Sequence, residues 1–514
     1  MKRIIAIILT LALVLSFAGC DLVEKVKDII LPECGGPVNG GEECDAHTDT
    51  DDDGYCDECS VSVIVIIDLY AVNDLHGKVN PGSSQPGIAG LTTYLKTVMD
   101  ENSILLSSGD MWQGSSESNL TYGALITDWM NEMGFVSMTL GNHEYDWSDE
   151  YIYENLELAS FPFLAINVYD KTTGERAEYA TPSVVVERGG IEIGIIGAIG
   201  DCYSSISGEV VGDVEFKVGR ELTALVRAES ERLKAEGVDV IVYSLHDGYG
   251  SSSSGVKPVS NNAISSYYDT SLSGDYVDVV FEAHTHQSYV LSDSKGVYHL
   301  QGGGENKGLT HAALSYNTAN GNKRVRSPEV VKSGVYGDMP QDPLIDQLLA
   351  KYKDMIDGAY EVLGTSSRYL DDSEVEQIVA DLYYEYGVAK WGGEYDIILG
   401  GGFIRTRNPY NLKSGEITYS DIYSLLPFDN ELVLCSISGR DLKRKFINTN
   451  NSDYYICYGN NDISSIDDNA TYYVVVDTYT SSYVYNNLTE VARYGSGVYA
   501  RDLFAEYVKA GNLA

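Results

Sequence analysis

The stretch Leu140–Trp147, LGNHEYDW, begins at the last residue of the segment Ser137–Leu140, which has the pattern of a short β-strand. The turn after this strand carries Asn142, His143 and Asp146, three side chains that bind metal ions or hydrogen-bond a reacting group. A single histidine in such a turn is compatible with packing, with metal binding or with catalysis. Which of these applies to His143 depends on what the other strands present at their ends.

Four other predicted strands also end in short polar clusters. These clusters are Asn73–Gly77, Ser108–Asp110, Leu245–Gly248 and Ala283–His286. Five of the eight histidines of the chain lie at four of these five strand ends, and the remaining end supplies Asp110. Strand and helix patterns alternate from Ser62 onward, which predicts an α/β architecture, and in such a sheet the carboxyl ends of the strands meet at a ligand. The five clusters are therefore predicted to form one site.

The candidate metal ligands in this site are imidazoles and oxygen donors, without a thiolate. They are Asp74, His76, Asp110, Asn142, His246, His284 and His286. Such a set suits Zn²⁺, Mn²⁺ or iron. Seven ligands exceed what one ion binds while it keeps a position open for substrate, so two divalent ions bridged by one carboxylate are predicted. Ion pairs of this kind, roughly 3.5–4 Å apart, clamp the oxygens of a phosphoester during hydrolysis.

The order of these motifs along the chain resembles that of the calcineurin-like metallophosphoesterases. The matching motifs are Asp74-x-His76, Gly109-Asp110, Gly141-Asn142-His143-Glu144, His246 and His284-x-His286. More narrowly, Gly109–Ser115 and Gly141–Asp146 resemble the 5′-nucleotidase/UDP-sugar hydrolase family. The C-terminal signatures of that family have counterparts in Gly400–Arg405, Ile417–Tyr423 and Leu426–Asn430. The resemblance implies a four-layer α/β/β/α metallophosphoesterase sandwich followed by a smaller α/β C-terminal substrate domain.

The resemblance also implies a role for each residue of the site. One ion would be held by Asp74, His76 and His286, the other by Asn142, His246 and His284, with Asp110 bridging the two. His143 would lie beside the scissile phosphate as the catalytic histidine, and Asp146 would orient it. The chemistry agrees, because a carboxylate behind an imidazole fixes its tautomer and raises its basicity. The alternative for Asp146 is a helix N-terminal cap.

The substrate residues implied by the resemblance lie in the C-terminal part of the chain. They are Arg405, Phe428, Asn430 and Tyr479. In the family two aromatic rings sandwich a base, and Phe428 and Tyr479 are the candidates here, because offset stacking works with tyrosine as well as phenylalanine. Packing in a tyrosine-rich strand is the alternative for Tyr479. Gly400 stands where the family has an asparagine.

The function implied is that of a metal-dependent phosphoric ester hydrolase that releases phosphate from nucleotides, with nucleoside 5′-monophosphates as the first substrate class. Alternatives are a nucleotide-sugar or 2′,3′-cyclic nucleotide phosphodiesterase, a sulfur-ester hydrolase on the same scaffold, and a non-catalytic binding lipoprotein. The 35 basic and 76 acidic residues give a formal charge of −41, which repels polymeric nucleic acid and anionic lipid. A small nucleotide remains the expected partner, drawn in by the charge of the metal ions.

The N-terminus has the pattern of a targeting segment. Lys2 and Arg3 precede the apolar core Ile4–Phe17, which is shorter than a membrane span. The ending Phe17–Cys20 resembles a bacterial lipoprotein signal, in which the cysteine is lipidated. The segment therefore predicts an extracytoplasmic protein that meets the membrane only through a lipid anchor on Cys20. The alternative is an ordinary signal peptide.

A segment rich in cysteine and aspartate follows the leader. Asp49–Gly54 has the D-x-D-x-D-G opening of a calcium loop, but Ser60 stands where the loop needs a bidentate glutamate. Calcium in residues 49–60 is one interpretation. A second interpretation is a zinc site formed by Cys34, Cys44, His47, Cys56 and Cys59, and a third is two disulfides among these four cysteines. The segment is predicted to be a stapled spacer, with a plain acidic linker as the alternative.

The length of 514 residues, with 44% hydrophobic and 22% charged residues, predicts at least two folded domains. The predicted boundaries are a signal peptide at 1–19, a tether at 20–61, a metallophosphoesterase domain at 62–335, a linker helix at 336–364 and a C-terminal domain at 365–514. A change from regular to irregular pattern before Pro343 places the boundary between the two large domains.

Overall fold

The computed structural model describes residues 47–81, 86–206, 211–252, 255–257, 272–404, 406, 411–448, 454–484, 487–495 and 499–514. The predicted functional positions Cys20, Cys34, Cys44 and Arg405 lie outside these residues. These described residues form two compact units, one comprising those of 47–64 with 317–322 and the other those of 65–316 with 323–514. None of the helices in the described part combines the length and the apolar character that crossing a membrane requires.

Two six-stranded sheets form the first half of the larger unit. In spatial order, the first contains Lys323–Lys332, Gly308–Asn317, Ile64–Val72, Ser103–Ser107, Ser137–Thr139 and Phe163–Leu164. The second contains Ser288–Ser292, Tyr298–Gly302, Val279–Glu282, Val240–His246, Ile191–Ile199 and Ser183–Arg188. The central strands of both sheets pair in parallel, so their carboxyl ends lie at one edge.

Helices cover the outer face of each sheet. On the first sheet these are Ile88–Val98, Ser116–Leu120, Ala124–Met133 and Asp149–Leu158, and on the second it is Arg220–Ala235. Apolar side chains of both sheets, such as Leu69, Leu106, Val242 and Phe281, pack together between them. Trp129 and its neighbours bury the helical layer on the first sheet. The predicted α/β/β/α sandwich is therefore confirmed.

The second half of the larger unit is a five-stranded mixed sheet, the C-terminal sheet, covered by helices. Its strands in spatial order are Tyr454–Cys457, Ile397–Phe403, Thr471–Asp477, Leu432–Ser438 and Thr489–Arg493. A two-stranded ribbon joins Val362–Ser366 to Gly415–Thr418. The helices are Asp372–Trp391, Tyr419–Leu425, Gly439–Leu442 and Ala500–Lys509. The buried residues between sheet and helices form a core of their own, which confirms a smaller α/β C-terminal domain.

Shorter elements complete the chain. Two small antiparallel ribbons pair Val168–Asp170 with Val214–Phe216 and Gly250–Ser252 with Gly255–Lys257. Single 3₁₀ turns occur at Asn142–Tyr145, Tyr203–Ser205, Ser333–Val335, Asp357–Tyr360 and Ile463–Ser465. Two π-helical turns occur at Lys443–Ile447 and Thr480–Val484.

The segment 336–364 differs from the single linker helix that the sequence predicts. Asp342 caps a helix over Pro343–Lys351 by accepting a hydrogen bond from the Leu344 N–H at 3.0 Å. That helix ends where Lys351 and Tyr352 both bind the buried Asp128, with the Tyr352 hydroxyl donating at 2.6 Å. Short helical turns at 353–356 and 357–360 and the strand from Val362 follow. Tertiary anchoring at Asp128 therefore replaces continuation of the helix.

In the smaller unit, the segment 47–64 contacts the loop 317–322. The Asp49 carboxylate accepts hydrogen bonds from the N–H groups of Asp53 and Gly54 at 3.1 and 2.9 Å and from the Asn317 amide at 2.7 Å. The Thr318 N–H donates to the Val63 carbonyl at 2.9 Å. Both oxygens of the first carboxylate in the predicted calcium loop are thus engaged by protein donors. Calcium binding by this loop stays a prediction.

Candidate active site

Strand register brings the predicted ligands to one edge of the sandwich. In the first sheet Val72 pairs with Ser107, so the loops after both strands leave the sheet side by side. Backbone hydrogen bonds then join these loops, from Asp74 N–H to Gly109 O at 2.9 Å and from His76 N–H to Asp110 O at 3.0 Å. In the second sheet Glu282 pairs with Leu245, which places the His246 and His284 loops next to each other.

Backbone strain is concentrated among these ligands. Five of the seven predicted ligands adopt positive φ although none is glycine: Asp74 at 48°, His76 at 51°, Asp110 at 54°, His284 at 65° and His286 at 53°. Each such residue costs on the order of 1–3 kcal/mol, and strain of this kind clusters at functional sites. The loops also need glycine, because a Cβ on Gly141 would lie 2.2 Å from an Asp110 carboxylate oxygen.

We call the seven predicted metal ligands the ligand cluster. Its first group consists of Asp74, His76 and His286. The Nε2 atoms of His76 and His286 lie 3.0 Å apart, and Asp74 Oδ1 lies 3.5 Å from the latter. His76 Nδ1 is hydrogen-bonded to the Gln113 carbonyl at 2.9 Å, which leaves Nε2 as the nitrogen with the lone pair. Three donor atoms thus converge on one point, as ligands of a cation do.

Asn142, His246 and His284 form the second group. The Asn142 carbonyl oxygen lies 3.2 Å from His246 Nε2 and 2.9 Å from His284 Nδ1. His246 Nδ1 is hydrogen-bonded to the Ser108 carbonyl at 2.8 Å, so Nε2 faces the cluster. Asp110 lies between the groups, with Oδ2 3.2 Å from His246 Nε2. Asp110, Asp74 and His246 each also offer one ligand atom within 4.8 Å of the other two, and we call such a group a metal-sized triad.

The electrostatics of the ligand cluster are those of charges held close together. Burial raises the pKa of Asp110, but His246 and His143 outweigh burial and bring it well below its usual value. Burial lowers the pKa of His246, whereas Asp110 raises it, to about 10. Burial and His246 lower the pKa of His284 to about 4. The mixed imidazole and oxygen donors, their convergence and the fixed tautomers fit a pair of divalent ions.

His143 and Asp146 form a hydrogen-bonded pair at the edge of the ligand cluster. His143 Nδ1 lies 2.7 Å from Asp146 Oδ2, and the two side chains are 16% and 14% exposed. The His143 N–H donates to Asp110 Oδ1 at 2.9 Å. Because Nδ1 is engaged by Asp146, Nε2 is the ring nitrogen on the side away from that carboxylate. His143 also falls in a metal-sized triad with His76 and Asp110, so geometry alone leaves a ligand role for it available.

Two residues outside the predicted catalytic and metal-binding sets organise the site. The buried Glu144 carboxylate accepts hydrogen bonds from the N–H groups of Gly141 at 2.7 Å, Asp110 at 2.9 Å and Met111 at 2.8 Å. Burial and Asp110 raise the pKa of Glu144 to about 7, while His246 and the N–H donors oppose this shift. The carboxylate thereby ties the two loops that carry Asp110 and Asn142 to each other.

Asn73 is the second such residue. Its amide donates to Asp74 Oδ2 at 2.6 Å and to the Gly303 carbonyl at 2.7 Å, and its oxygen accepts from the Gly302 N–H at 2.9 Å. Its place beside Asp74 at a strand end is a sequence signal for the first contact. The other two contacts span about 230 residues, and no local pattern predicts them.

A cavity of about 550 Å³ opens onto the ligand cluster. One wall contains six predicted catalytic or metal residues: Asp110, Asn142, His143, Asp146, His284 and His286. The other wall comes from the C-terminal sheet and its loops and includes Phe403, Phe428, Asn430, Tyr479 and Tyr499. Three of the four predicted substrate residues therefore line the same cavity as His143. The fourth, Arg405, lies outside the described residues.

The aromatic wall, formed by Phe403, Phe428, Tyr479 and Tyr499, is held in place by a buried arginine. The Arg501 side chain is 5% exposed, donates to the Phe428 carbonyl at 2.9 Å and pairs with Asp429 at 2.5 Å. Its guanidinium lies 4.1 Å from the ring centre of Tyr423 and 4.4 Å from that of Tyr499. The Phe428 ring in turn stacks against His143, with centroids 6.0 Å apart. The sequence interpretation assigned no role to Arg501, since nothing near it in the chain points to the loop 427–430.

Comparison with known proteins bears on the chemistry of this arrangement. Residues 67–288 match the model of the calcineurin-like phosphoesterases, and residues 356–455 match that of the 5′-nucleotidase C-terminal domain. The chain therefore contains a calcineurin-like phosphoesterase domain followed by a 5′-nucleotidase C-terminal domain. It is accordingly a metal-dependent phosphoric ester hydrolase. The domain family thereby confirms the predicted dependence on divalent metal ions, without specifying which ions they are.

Relatives and solved structures agree with this assignment. The phosphoesterase is 25% identical to an apyrase of Tabanus yao over 433 residues, 77% of its own length and 74% of that protein. It is 25% identical to the protein UshA of Yersinia enterocolitica over 424 residues, 74% of its length and 75% of the relative. A 5′-nucleotidase precursor from Thermus thermophilus has the same fold, with a TM-score of 0.65 at 18% identity, covering 88% and 97% of the two chains.

Proposed function

We propose that the chain is an extracytoplasmic two-metal phosphohydrolase that releases phosphate from nucleotides, most readily from nucleoside 5′-monophosphates. The observation that carries the proposal is the shared cavity, in which the ligand cluster and His143 face the aromatic wall. A phosphate beside the cluster and a base against the rings require one molecule that contains both groups. A nucleotide meets that requirement, and three relatives are named 5′-nucleotidases, which supports the same class.

The ligand cluster divides into two sets in this proposal. Asp74, His76 and His286 would hold one divalent ion; Asn142, His246 and His284 would hold the other; Asp110 would contribute to both. When bound, such ions act as Lewis acids that polarise the phosphoryl group and offset the negative charge of the substrate. The strained loops pre-organise the ligands, since the cost of their positive φ angles is met by folding and not at the moment of binding.

His143 would act on the substrate directly. With Nδ1 held by Asp146 at 2.7 Å, its imidazolium form presents the Nε2 proton to an oxygen of the transferring group or leaving group. The Asp146 carboxylate stabilises this protonated ring and fixes its orientation. Phe428 stacks against the ring and supports this orientation. General acid catalysis of this kind contributes on the order of 10²- to 10⁴-fold to the rate.

The C-terminal residues would select the substrate. Phe428 and Tyr479 line the cavity and offer their faces to a base, and Asn430 lines it beside them. Tyr479 also packs against Phe403, with ring centroids 5.9 Å apart, so its ring is supported from behind. Arg405 remains part of the proposal as a phosphate-binding residue.

The extracytoplasmic location rests on the leader at residues 1–19 and on Cys20 as the site of lipidation, all outside the described residues. Metabolic labelling with a radioactive fatty acid tests the anchor: wild-type chain is expected to take up label, and Cys20→Ala is not. Label retained by Cys20→Ala would contradict the assignment of the lipid to this cysteine.

Phosphate release from a panel of substrates tests the catalytic proposal. Nucleoside 5′-monophosphates, nucleotide sugars, 2′,3′-cyclic nucleotides and an aryl phosphate are supplied with Mn²⁺, Zn²⁺ or a chelator. We expect the highest kcat/KM for a 5′-monophosphate and no turnover with the chelator. Asp110→Ala is expected to abolish turnover and His143→Ala to lower kcat, whereas His311→Ala, a histidine outside the cavity, serves as the control.

Other outcomes separate the alternatives. A higher kcat/KM for nucleotide sugars or cyclic nucleotides would favour a phosphodiesterase. Turnover of a thiosulfate-type ester without turnover of AMP would favour a sulfur-ester hydrolase. Full activity of His143→Ala would contradict its catalytic role. Nucleotide binding without release of phosphate from any substrate by the metal-loaded protein would indicate a binding lipoprotein.

A further inference from the structure

A second, separate cluster of metal-binding side chains lies in the smaller unit. His47, Cys56 and Cys59 each offer one ligand atom, and these three atoms lie within 4.8 Å of one another. His47 Nδ1 and Cys59 Sγ lie 3.5 Å apart. All three residues belong to the same compact unit, so their arrangement does not depend on the phosphoesterase site.

The backbone builds this cluster before any ion is considered. The Cys56 N–H donates to the Val61 carbonyl and the Ser60 N–H to the Cys56 carbonyl, both at 2.8 Å, which closes a tight turn around Cys-x-x-Cys. Ser60 makes the turn possible with a positive φ of 58°. Within it the N–H groups of Cys59 and Glu58 are hydrogen-bonded to the Cys56 sulfur. A turn whose amides donate to a sulfur is suited to stabilising a thiolate.

The segment that carries His47 is fixed to this turn by two further contacts. The Asp57 N–H donates to the Thr48 carbonyl at 2.8 Å, and the Thr50 N–H donates to Asp57 Oδ2 at 3.0 Å. The imidazole of His47 is thereby held beside the two sulfurs although it is 12 residues away from Cys59 in the chain. The residue His47 is solvent-exposed, so its position beside the sulfurs is not imposed by burial in a core.

We propose that His47, Cys56 and Cys59 bind a thiophilic divalent ion, Zn²⁺, as a structural site separate from the catalytic ions. The distances agree with this ion. A tetrahedral Zn²⁺ at about 2.3 Å from sulfur and about 2.0–2.1 Å from an imidazole nitrogen places those two atoms roughly 3.5 Å apart. The 3.5 Å between His47 Nδ1 and Cys59 Sγ matches that separation. Three protein ligands leave one position of the tetrahedron for a further donor.

The ligand types distinguish this site from the calcium loop that overlaps it in sequence. Calcium requires six to eight oxygen ligands, whereas thiolates and imidazole select zinc-like ions. Asp49, the first carboxylate of the loop, already accepts three hydrogen bonds, and its role is to close the segment on itself. Binding releases the thiol protons and protects both sulfurs from oxidation, which matters for a protein proposed to work outside the cytoplasm.

Cobalt substitution of the full chain tests the site. The protein is stripped with a chelator under reducing conditions and titrated with Co²⁺, and the near-ultraviolet sulfur-to-cobalt absorption band is recorded. We expect the band in wild type, its loss in Cys56→Ser/Cys59→Ser and a weaker, shifted band in His47→Ala. Cys457→Ser is a matched control that removes a thiol outside the cluster. Phosphate release by the double variant is expected to equal that of wild type.

One competing source of the band is explicit in the structure. Cys202 forms a metal-sized triad with His246 and His284, so Cys202→Ser is a second control. A band lost in Cys202→Ser and kept in the double variant would place the thiolate-bound ion at the catalytic cluster and overturn the proposal. Zinc content measured on protein purified without chelator is expected to be one equivalent lower in the double variant than in wild type.

Thiol protection covers the case in which the double variant misfolds. In wild-type protein, Zn²⁺ at about a hundred times its Kd is expected to slow alkylation of Cys56 and Cys59 roughly 100-fold, as mass action requires. Peptide mass spectrometry resolves these cysteines from Cys457, whose rate is expected to stay constant. Equal alkylation rates with and without Zn²⁺ would overturn the proposal, as would a disulfide on Cys56 or Cys59 in protein isolated without reductant.

Discussion

Replacing Glu144 by glutamine tests whether one buried carboxylate holds together two of the loops that carry metal ligands. Its Oε2 atom accepts from the N–H groups of Gly141 and Asp110, and its Oε1 atom accepts from Met111 and Trp112. Glutamine retains one oxygen acceptor and presents an NH₂ group in place of the other. If the oxygen stays toward Met111, the N–H groups of Gly141 and Asp110 face a second donor.

The expected cost follows from those two contacts. A buried N–H that loses its acceptor costs about 1–3 kcal/mol, so two of them destabilise the closed loops by about 2–6 kcal/mol. Since about 1.4 kcal/mol corresponds to a factor of ten, local opening is expected to become roughly 30-fold to 10⁴-fold more frequent. The loss is local, because these hydrogen bonds join loops and not the two sheets.

Amide hydrogen exchange with mass spectrometry measures this opening directly over residues 107–116 and 139–148. Exchange in both segments is expected to accelerate in Glu144→Gln, together with weaker binding of the catalytic metal ions. The control is Glu154→Gln, which neutralises an exposed glutamate on the following helix. If Glu144→Gln exchanged within threefold of wild type in both segments, the reasoning from the four N–H contacts would be refuted.

Three further predictions concern the catalytic pair, the aromatic wall and acid stability. Asp146→Asn keeps an acceptor for the imidazole but removes its charge, so kcat should fall roughly 10- to 100-fold with KM little changed in steady-state assays. Phe428→Ala removes a stacking surface worth about 1–3 kcal/mol, so KM should rise for AMP but not for glycerol phosphate. Glu229 forms an ion pair with Arg232 at 2.7 Å. Burial raises the pKa of Glu229, but Arg232 outweighs burial and lowers the pKa below its ordinary value. The stability that this ion pair contributes is therefore present above pH 4.5 and is lost as the pH falls below it. Thermal unfolding should therefore show a smaller acid-induced drop in Tm for Glu229→Gln than for the control Glu231→Gln, which changes an exposed glutamate on the same helix. Equal drops would contradict the assignment.

Much of the fold and of the site was accessible from sequence because the signals are local. Each strand carries its own apolar pattern, and each ligand follows its strand within a few residues, as Asp74 follows Val72 and Asn142 follows Thr139. Parallel strands then bring those ends together, so the residues that line one wall of the cavity could be named in advance. The end of the linker helix could not be predicted in this way, since Lys351 and Tyr352 at its end bind Asp128, which is more than 200 residues away in the chain.

The amino-acid sequence predicts the α/β architecture and the chemistry of the ligand cluster, because periodicity and strand-end motifs need only neighbouring residues. The layered sandwich was implied by the resemblance to a known family. Tertiary structure alone decided what holds that cluster in shape and what faces it. Glu144 accepts N–H groups from a loop 34 residues away, and Arg501 fixes Phe428 across 73 residues. It also brought His47 to the turn that carries Cys59. Contacts of this kind depend on the path of the folded chain, and no pattern within a strand or helix encodes them.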